Sequence, residues 1–194
     1  MTRIGHIQSV QIQRESLKVD EDSARRYDPA PLCSVAQLKL TRNGVIGLTE
    51  AGEALIDVHH VDHPRSRNRA DNYVSMGFSG HYAALRSHYG AHLLDGIAGE
   101  NILVVWDALM TPQDLGEQVV IETQTGQRII LEDVLPIPPC EPFSRFAAGG
   151  ALSAPEMKAT LQHLSGGMRG FYLRVIEAAD GALIQPGDEV YTAS

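Results

Sequence analysis

Short stretches of alternating apolar and polar residues, most of them ending near a turn dipeptide, recur along the whole sequence. Val10 and Ile12 alternate with Gln11 and Gln13, and Ala36, Leu38 and Leu40 alternate with Gln37 and Lys39, the period of a half-buried strand. These two strands are expected to pair. Asn43-Gly44 supplies a tight turn before Val45 and Ile46. Val119-Val120-Ile121 and Ile129-Ile130-Leu131 flank Thr125-Gly126 as the arms of a hairpin. The run Ile102-Leu103-Val104-Val105-Trp106 is continuous apolar material whose brevity and branched residues favour a buried strand. Phe171, Leu173 and Val175 begin a further strand, and Asp180-Gly181 and Pro186-Gly187 frame more. A strand count near eight without an internal repeat points to a barrel or sandwich.

Two helices are expected beside the strands. Tyr82, Leu85, Tyr89 and Leu93 recur at helical spacing, with Ser79 as N-cap and Gly96 beyond the end. Ser153 and Glu156 have capping-box spacing, Met157, Leu161 and Leu164 form one stripe, and Gly166 closes the second helix. Residues 14–31 are crowded with charge and read as an exposed excursion, and residues 57–72 read as a loop. The fold class is mainly β (α+β), in one domain over residues 1–194. With 43% hydrophobic and 21% charged residues the chain has a globular composition. Its net charge of −8 opposes non-specific binding to nucleic acid or anionic lipid. The first residues hold no apolar run of signal-peptide or membrane-spanning length, so the expected location is the cytoplasm. Cys33 and Cys140 lie far apart without a Cys-x-x-Cys pair, poor material for a disulfide framework or zinc knuckle.

Chemistry concentrates at Cys140. Pro136, Pro138, Pro139 and Pro142 fix the backbone on both sides of this thiol, which suits sulfur transfer or a soft metal such as molybdenum. A buried small hydrophobe is the bland reading, and it is preferred for Cys33. Glu100 and Asn101 lie between a glycine and an apolar strand, where they orient a ligand or cap the loop. His59, His60 and His63 suit a transition metal, although no zinc-protease glutamate follows. Arg65, Arg67 and Arg69 form the densest basic run, with forked donors for phosphate or carboxylate, while a solvated loop is the alternative. Arg169 stands on a glycine turn, where it grips an anion or neutralises a helix end. His88 and His92 border the apolar stripe and are assigned no role.

In order along the chain, Gly47-Leu48 before a His-His loop, Gly99-Glu100-Asn101-Ile102, Pro139-Cys140, Gly170-Phe171-Tyr172-Leu173-Arg174-Val175 and Pro186-Gly187-Asp188 resemble the MOSC (molybdenum cofactor sulfurase C-terminal) domain family. The resemblance spans about residues 35–191. It implies a MOSC-like β-barrel with a few peripheral helices. It also implies one of two activities: binding of the pterin molybdenum cofactor with Cys140 as metal ligand and reduction of N-hydroxylated small molecules, or sulfur carriage by a Cys140 persulfide. Cys140, Glu100, Asn101, His59 and His60 match family positions, and Arg169 falls in the late glycine turn. Two departures from the pattern stand out: Val61-Asp62 replaces a glycine pair, and Ile137 stands where an arginine is expected. Arg65, Arg67 or Arg69 would compensate, and a non-catalytic binding domain with a partly lost site is the third reading. The implied partners are a small-molecule substrate, an electron-donor reductase or cysteine desulfurase, and a second copy in a homodimer.

Overall fold

The longest strand, β1 (Thr2–Gln13), changes partner twice along its length. In the computed structural model, which describes residues 1–21, 24–66, 74–178 and 182–193, Thr2 to His6 pair with β14 (Glu189–Ala193). Ile7 to Val10 then pair with β9 (Ile102–Val104), and Gln11 to Gln13 with β4 (Leu32–Ser34). Around the other side, β14 pairs with β10 (Gln118–Glu122). β11 (Arg128–Pro136), β12 (Phe171–Ala178) and β8 (Val74–Phe78) follow, and β8 returns to β9. Seven strands therefore close into a barrel, with no free edge along the closed circuit. Only the β8–β9 pair is parallel among the described residues. A parallel pair needs a crossover, and α1 (Ser79–Tyr89) and the segment after it supply it.

The barrel interior holds Ile7, Met76, Phe78, Ile121, Leu131 and Phe171, all at most 1% exposed. Each such side chain contributes roughly 1.5–3 kcal/mol by leaving water. β9 alternates across the wall: Ile102 and Val104 face this core, whereas Leu103 joins a second apolar cluster outside. That second cluster holds Tyr27, Tyr82, Leu85, Phe143 and Leu164. It lies among α1, α3 (Glu141–Ala147), α4 (Ala154–His163) and a hairpin of β2 (Lys18–Glu21) and β3 (Ala24–Tyr27).

The mainly-β fold, the Thr125-Gly126 hairpin, the Asn43-Gly44 turn, and the Ser153 capping box stand as expected. Four expectations change. The 37–41 strand does not pair with β1, whose two edges are occupied by β4 and β9. As β5 (Gln37–Thr41) it pairs with β6 (Gly44–Leu48) and β13 (Leu183–Ile184), and β7 (Ala54–Ile56) completes a separate sheet. Within the charged 14–31 excursion, 18–21 and 24–27 pair as β2 and β3, with Leu17 and Tyr27 buried beneath them. Ser79 is no cap: its hydroxyl donates to the Trp106 carbonyl at 3.0 Å and accepts from the Trp106 amide at 2.9 Å, so α1 starts behind Phe78. Among the described residues four helices are present rather than two, α2 (Pro112–Leu115) and α3 being the additions. The Asp180-Gly181 turn lies outside the described residues. No helix among the described residues is long and apolar enough to cross a membrane.

Candidate functional site around Cys140

β11 leaves the barrel at Pro136, and the next amide, Ile137, donates to the Gly170 carbonyl at 2.9 Å. That bond ties the chain leading to the thiol to the residue after Arg169. Ile137 is buried and apolar, so the position of the expected arginine carries no charge. Cys140 is the N-cap of α3 rather than a member of an irregular loop. Its carbonyl accepts from the Ser144 amide and hydroxyl, both at 3.0 Å, and Pro142 lies in the first turn. The thiol is half-buried against the outer cluster.

Arg169, 6% exposed, reaches this sulfur. Its Nη1 lies 3.5 Å from Cys140 Sγ and from the Pro138 carbonyl, and its Nη2 donates to the Ala98 carbonyl at 3.2 Å. The guanidinium carbon stands 4.3 Å from the centre of the Phe143 ring, a cation–π contact. Nε is buried with no hydrogen-bond partner among the described residues. No carboxylate lies within ion-pair distance of Arg169 among the described residues, so its charge is available to an anion at Cys140.

Glu100 enters from the crossover. It is buried, and its Oε2 accepts from the Tyr82 hydroxyl at 2.6 Å, which in turn accepts from the Ala98 amide at 3.0 Å. Burial pushes the Glu100 carboxyl above its ordinary range, against the Tyr82 bond and the Arg169 charge. Burial also pushes Tyr82 and Tyr27 up, so both phenols stay protonated. The backbone around Glu100 needs glycine. A Cβ on Gly170, at φ +85°, would meet the Met76 carbonyl at 2.4 Å, and one on Gly77 would meet Glu100 Oε1 at 2.9 Å.

The crossover segment bearing Glu100 is held carbonyl by carbonyl. Tyr27 Oη donates to Ile97 at 2.7 Å, Arg169 to Ala98, Gln13 Nε2 to Gly99 at 2.7 Å, and Gln11 Nε2 to Glu100 at 2.8 Å. Asn101 points its amide into a second knot. Its Oδ1 accepts from the Ser75 amide and hydroxyl at 3.1 and 2.9 Å, and its Nδ2 donates to Asp57 Oδ2 at 3.0 Å and the Gln11 carbonyl at 3.2 Å. Asp57, fully buried, also accepts from the amides of Gln13 and His59 and from His59 Nδ1 at 2.8 Å. Burial works to raise its pKa, but the His59 ring and the backbone donors outweigh it and hold the carboxyl below its ordinary range.

The sequence-derived candidates therefore divide. Arg169 and, through Tyr82, Glu100 meet at Ala98, and Arg169 also reaches Cys140, while Asn101 and His59 meet at Asp57. His60 is buried, and its Nδ1 accepts from the Asp62 amide at 3.2 Å. Arg65 is exposed and paired to Glu15 at 2.7 Å. Arg67 and Arg69 lie outside the described residues. No group of three or more His, Cys, Asp or Glu is placed to hold a metal among the described residues. Sequence reasoning missed Tyr27, Tyr82, Ser75 and Asp57. It took Gln11 and Gln13 for a solvated strand face, although their alternation is the one signal that marked them.

The family model of the MOSC domain matches residues 58–191. The chain belongs to the MOSC domain family. Among solved structures this MOSC chain is similar to the YUAD protein from Bacillus subtilis, with a TM-score of 0.57 and 13% identity over 96% of this chain and 93% of that one. It is also similar to YiiM from Geobacillus stearothermophilus, with a TM-score of 0.53 and 19% identity over 97% of this chain and 75% of that one. At such identities the likeness is one of fold. No curated protein matches the chain. The MOSC match begins after β1, yet β1 closes the barrel and supplies Gln11 and Gln13 to the crossover.

Proposed function

We propose that this MOSC protein binds the pterin molybdenum cofactor beside α3 and reduces N-hydroxylated or related small molecules, with the Cys140 thiolate as metal ligand. One observation carries the reading: the half-buried Cys140 sulfur faces the buried Arg169 guanidinium at 3.5 Å. A soft sulfur donor suits molybdenum, and an arginine with an unpartnered buried Nε suits an anionic cofactor, so the residues fit the group. When bound, the cofactor would supply the redox chemistry, in which an N–OH takes up two electrons from a separate reductase and two protons from solvent to give N–H and water. Cys140 holds its ligand at the start of a helix fixed by Pro142 and Ser144. Glu100 acts through Tyr82 and Ala98 to keep Arg169 in place, and Asn101 acts through Asp57 and Ser75 to keep the crossover in place; both are positioning residues.

Protein purified from a cofactor-competent host is expected to contain stoichiometric molybdenum by elemental analysis, and Cys140→Ser is expected to lose it. Arg169→Gln should weaken retention by about 2 to 5 kcal/mol, the cost of leaving a buried anion unpaired. Metal-free parent protein from such a host would overturn the reading.

Ile137 motivates a second reading. With that position apolar, Arg169 is the cation that reaches the thiol among the described residues, enough for a small sulfur anion. A sulfur carrier charged by a cysteine desulfurase would then gain one sulfur atom on Cys140 in intact mass under non-reducing conditions, a gain that Cys140→Ser abolishes. Protein showing neither metal nor sulfur would leave a non-catalytic binding domain.

A further inference from the structure

A cavity of about 590 Å³ opens between the β2–β3 hairpin and α3, one aromatic layer away from the thiol. Its floor is apolar: Tyr27 and Phe146 stand 5.1 Å apart between ring centres, with Pro142 beside them. Tyr27 also packs edge-on against Phe143 at 5.0 Å, the ring over which Arg169 is seated. Arg25, Arg26 and Arg145 line the same cavity, and among the described residues no carboxylate does. Asp20, Asp28 and Glu141 pair with these arginines from outside the lining. A guanidinium carries five N–H donors in a planar fork, so one carboxylate does not exhaust it. The volume falls within the roughly 300 to 1,000 Å³ of small-molecule pockets.

We propose that this cavity binds a flat apolar small molecule bearing an anionic group, with its rings on Tyr27 and Phe146 and its charge at Arg25 and Arg145. As the substrate pocket of the Cys140 centre the assignment rests on the function proposed above. As a binding site it rests on the cavity alone. A ring system stacks on the aromatic floor, while the exposed arginines select anions over neutral analogues.

The test uses the whole chain without added metal. Anilinonaphthalene sulfonate serves as the anionic aromatic probe, and phenylnaphthylamine, which has the same rings without the sulfonate, serves as the neutral control. Parent protein should bind the sulfonate more tightly than the neutral probe. The Arg25→Gln/Arg145→Gln double variant should weaken the sulfonate roughly fivefold, as two exposed charge contacts would, and leave the neutral probe unchanged. Gly150→Trp should weaken both, because Gly150 lines the cavity, a Cβ there meets nothing within 4 Å, and its φ lies outside the left-handed region. A far-ultraviolet circular dichroism spectrum and a thermal midpoint matching the parent's are required of each variant, so that probe binding reports the cavity and not unfolding. Equal affinity for the two probes, insensitive to the double variant, would overturn the proposal in favour of an apolar docking groove. Sulfonate binding untouched by Gly150→Trp would overturn it as well. Neither result depends on molybdenum, so parent protein that is metal-free even from a cofactor-competent host, yet shows the expected probe pattern, refutes the cofactor reading and leaves this site standing.

Discussion

Glu100 and Asp57 are both buried carboxyls, and their surroundings push them in opposite directions. Glu100 keeps its proton longer in the folded chain than in the unfolded one. It therefore lowers stability as pH rises from the ordinary glutamate value of 4.5 toward its folded value, and the loss persists above that. Glu100→Gln keeps an acceptor for Tyr82 and should flatten the fall in thermal midpoint over that window, without loss of stability at neutral pH. Asp57 works the other way: its contribution is complete above 3.8 and disappears as pH drops through its lowered folded value. Asp57→Asn should cost about 3 kcal/mol at neutral pH, since it leaves buried donors without their charged acceptor, and should remove that acid-side dependence. Thermal unfolding across a pH series checks both, and parallel pH profiles for parent and variants would refute the assignments. Gly170→Ala should cost about 3 kcal/mol through backbone strain and the approach to the Met76 carbonyl, measured by denaturant titration.

At the level of elements, the β2–β3 hairpin acts as a cover for the thiol side of α3, fastened by Tyr27 between Phe143 and Phe146 and by its bond to Ile97. Tyr27→Ala should destabilise by about 3 kcal/mol and expose Cys140. In a Cys33→Ser background, its reaction with an aromatic disulfide reagent should become several-fold faster, and an unchanged rate would refute the covering role. This hairpin was not legible in the sequence, because charges on both its strands hide a burial that depends on just Leu17 and Tyr27. α3 was hidden for a related reason: it is short and proline-flanked, so its residues read as a loop. The strands that did read correctly, such as β10 and β11, carry their period and their turn within a few neighbouring residues. Cys140, Glu100 and Asn101 could be singled out by local proline and glycine punctuation. Tyr82, Ser75 and Asp57 could not, since their partners come from distant segments and nothing beside them in sequence announces it.

Across the whole molecule, Thr2 faces Thr192 in the seam that closes the barrel, so the two ends of the described chain lie in adjacent strands. A circular permutant that joins them by a short linker and opens at Gly126, where a Cβ would meet nothing within 4 Å, should fold to the parent's circular dichroism spectrum. Aggregation of that permutant would show that the order in which β1 and β14 are made matters to closure. The parallel β8–β9 pair has a wider effect. To return to the same end of the sheet, the chain must travel outside it, and the groups that hold Arg169 from this side, Ala98, Tyr82 and Glu100, all sit on that return path. Evolution can thus rewrite selectivity by editing an external span, sparing the cylinder whose closure every descendant must preserve.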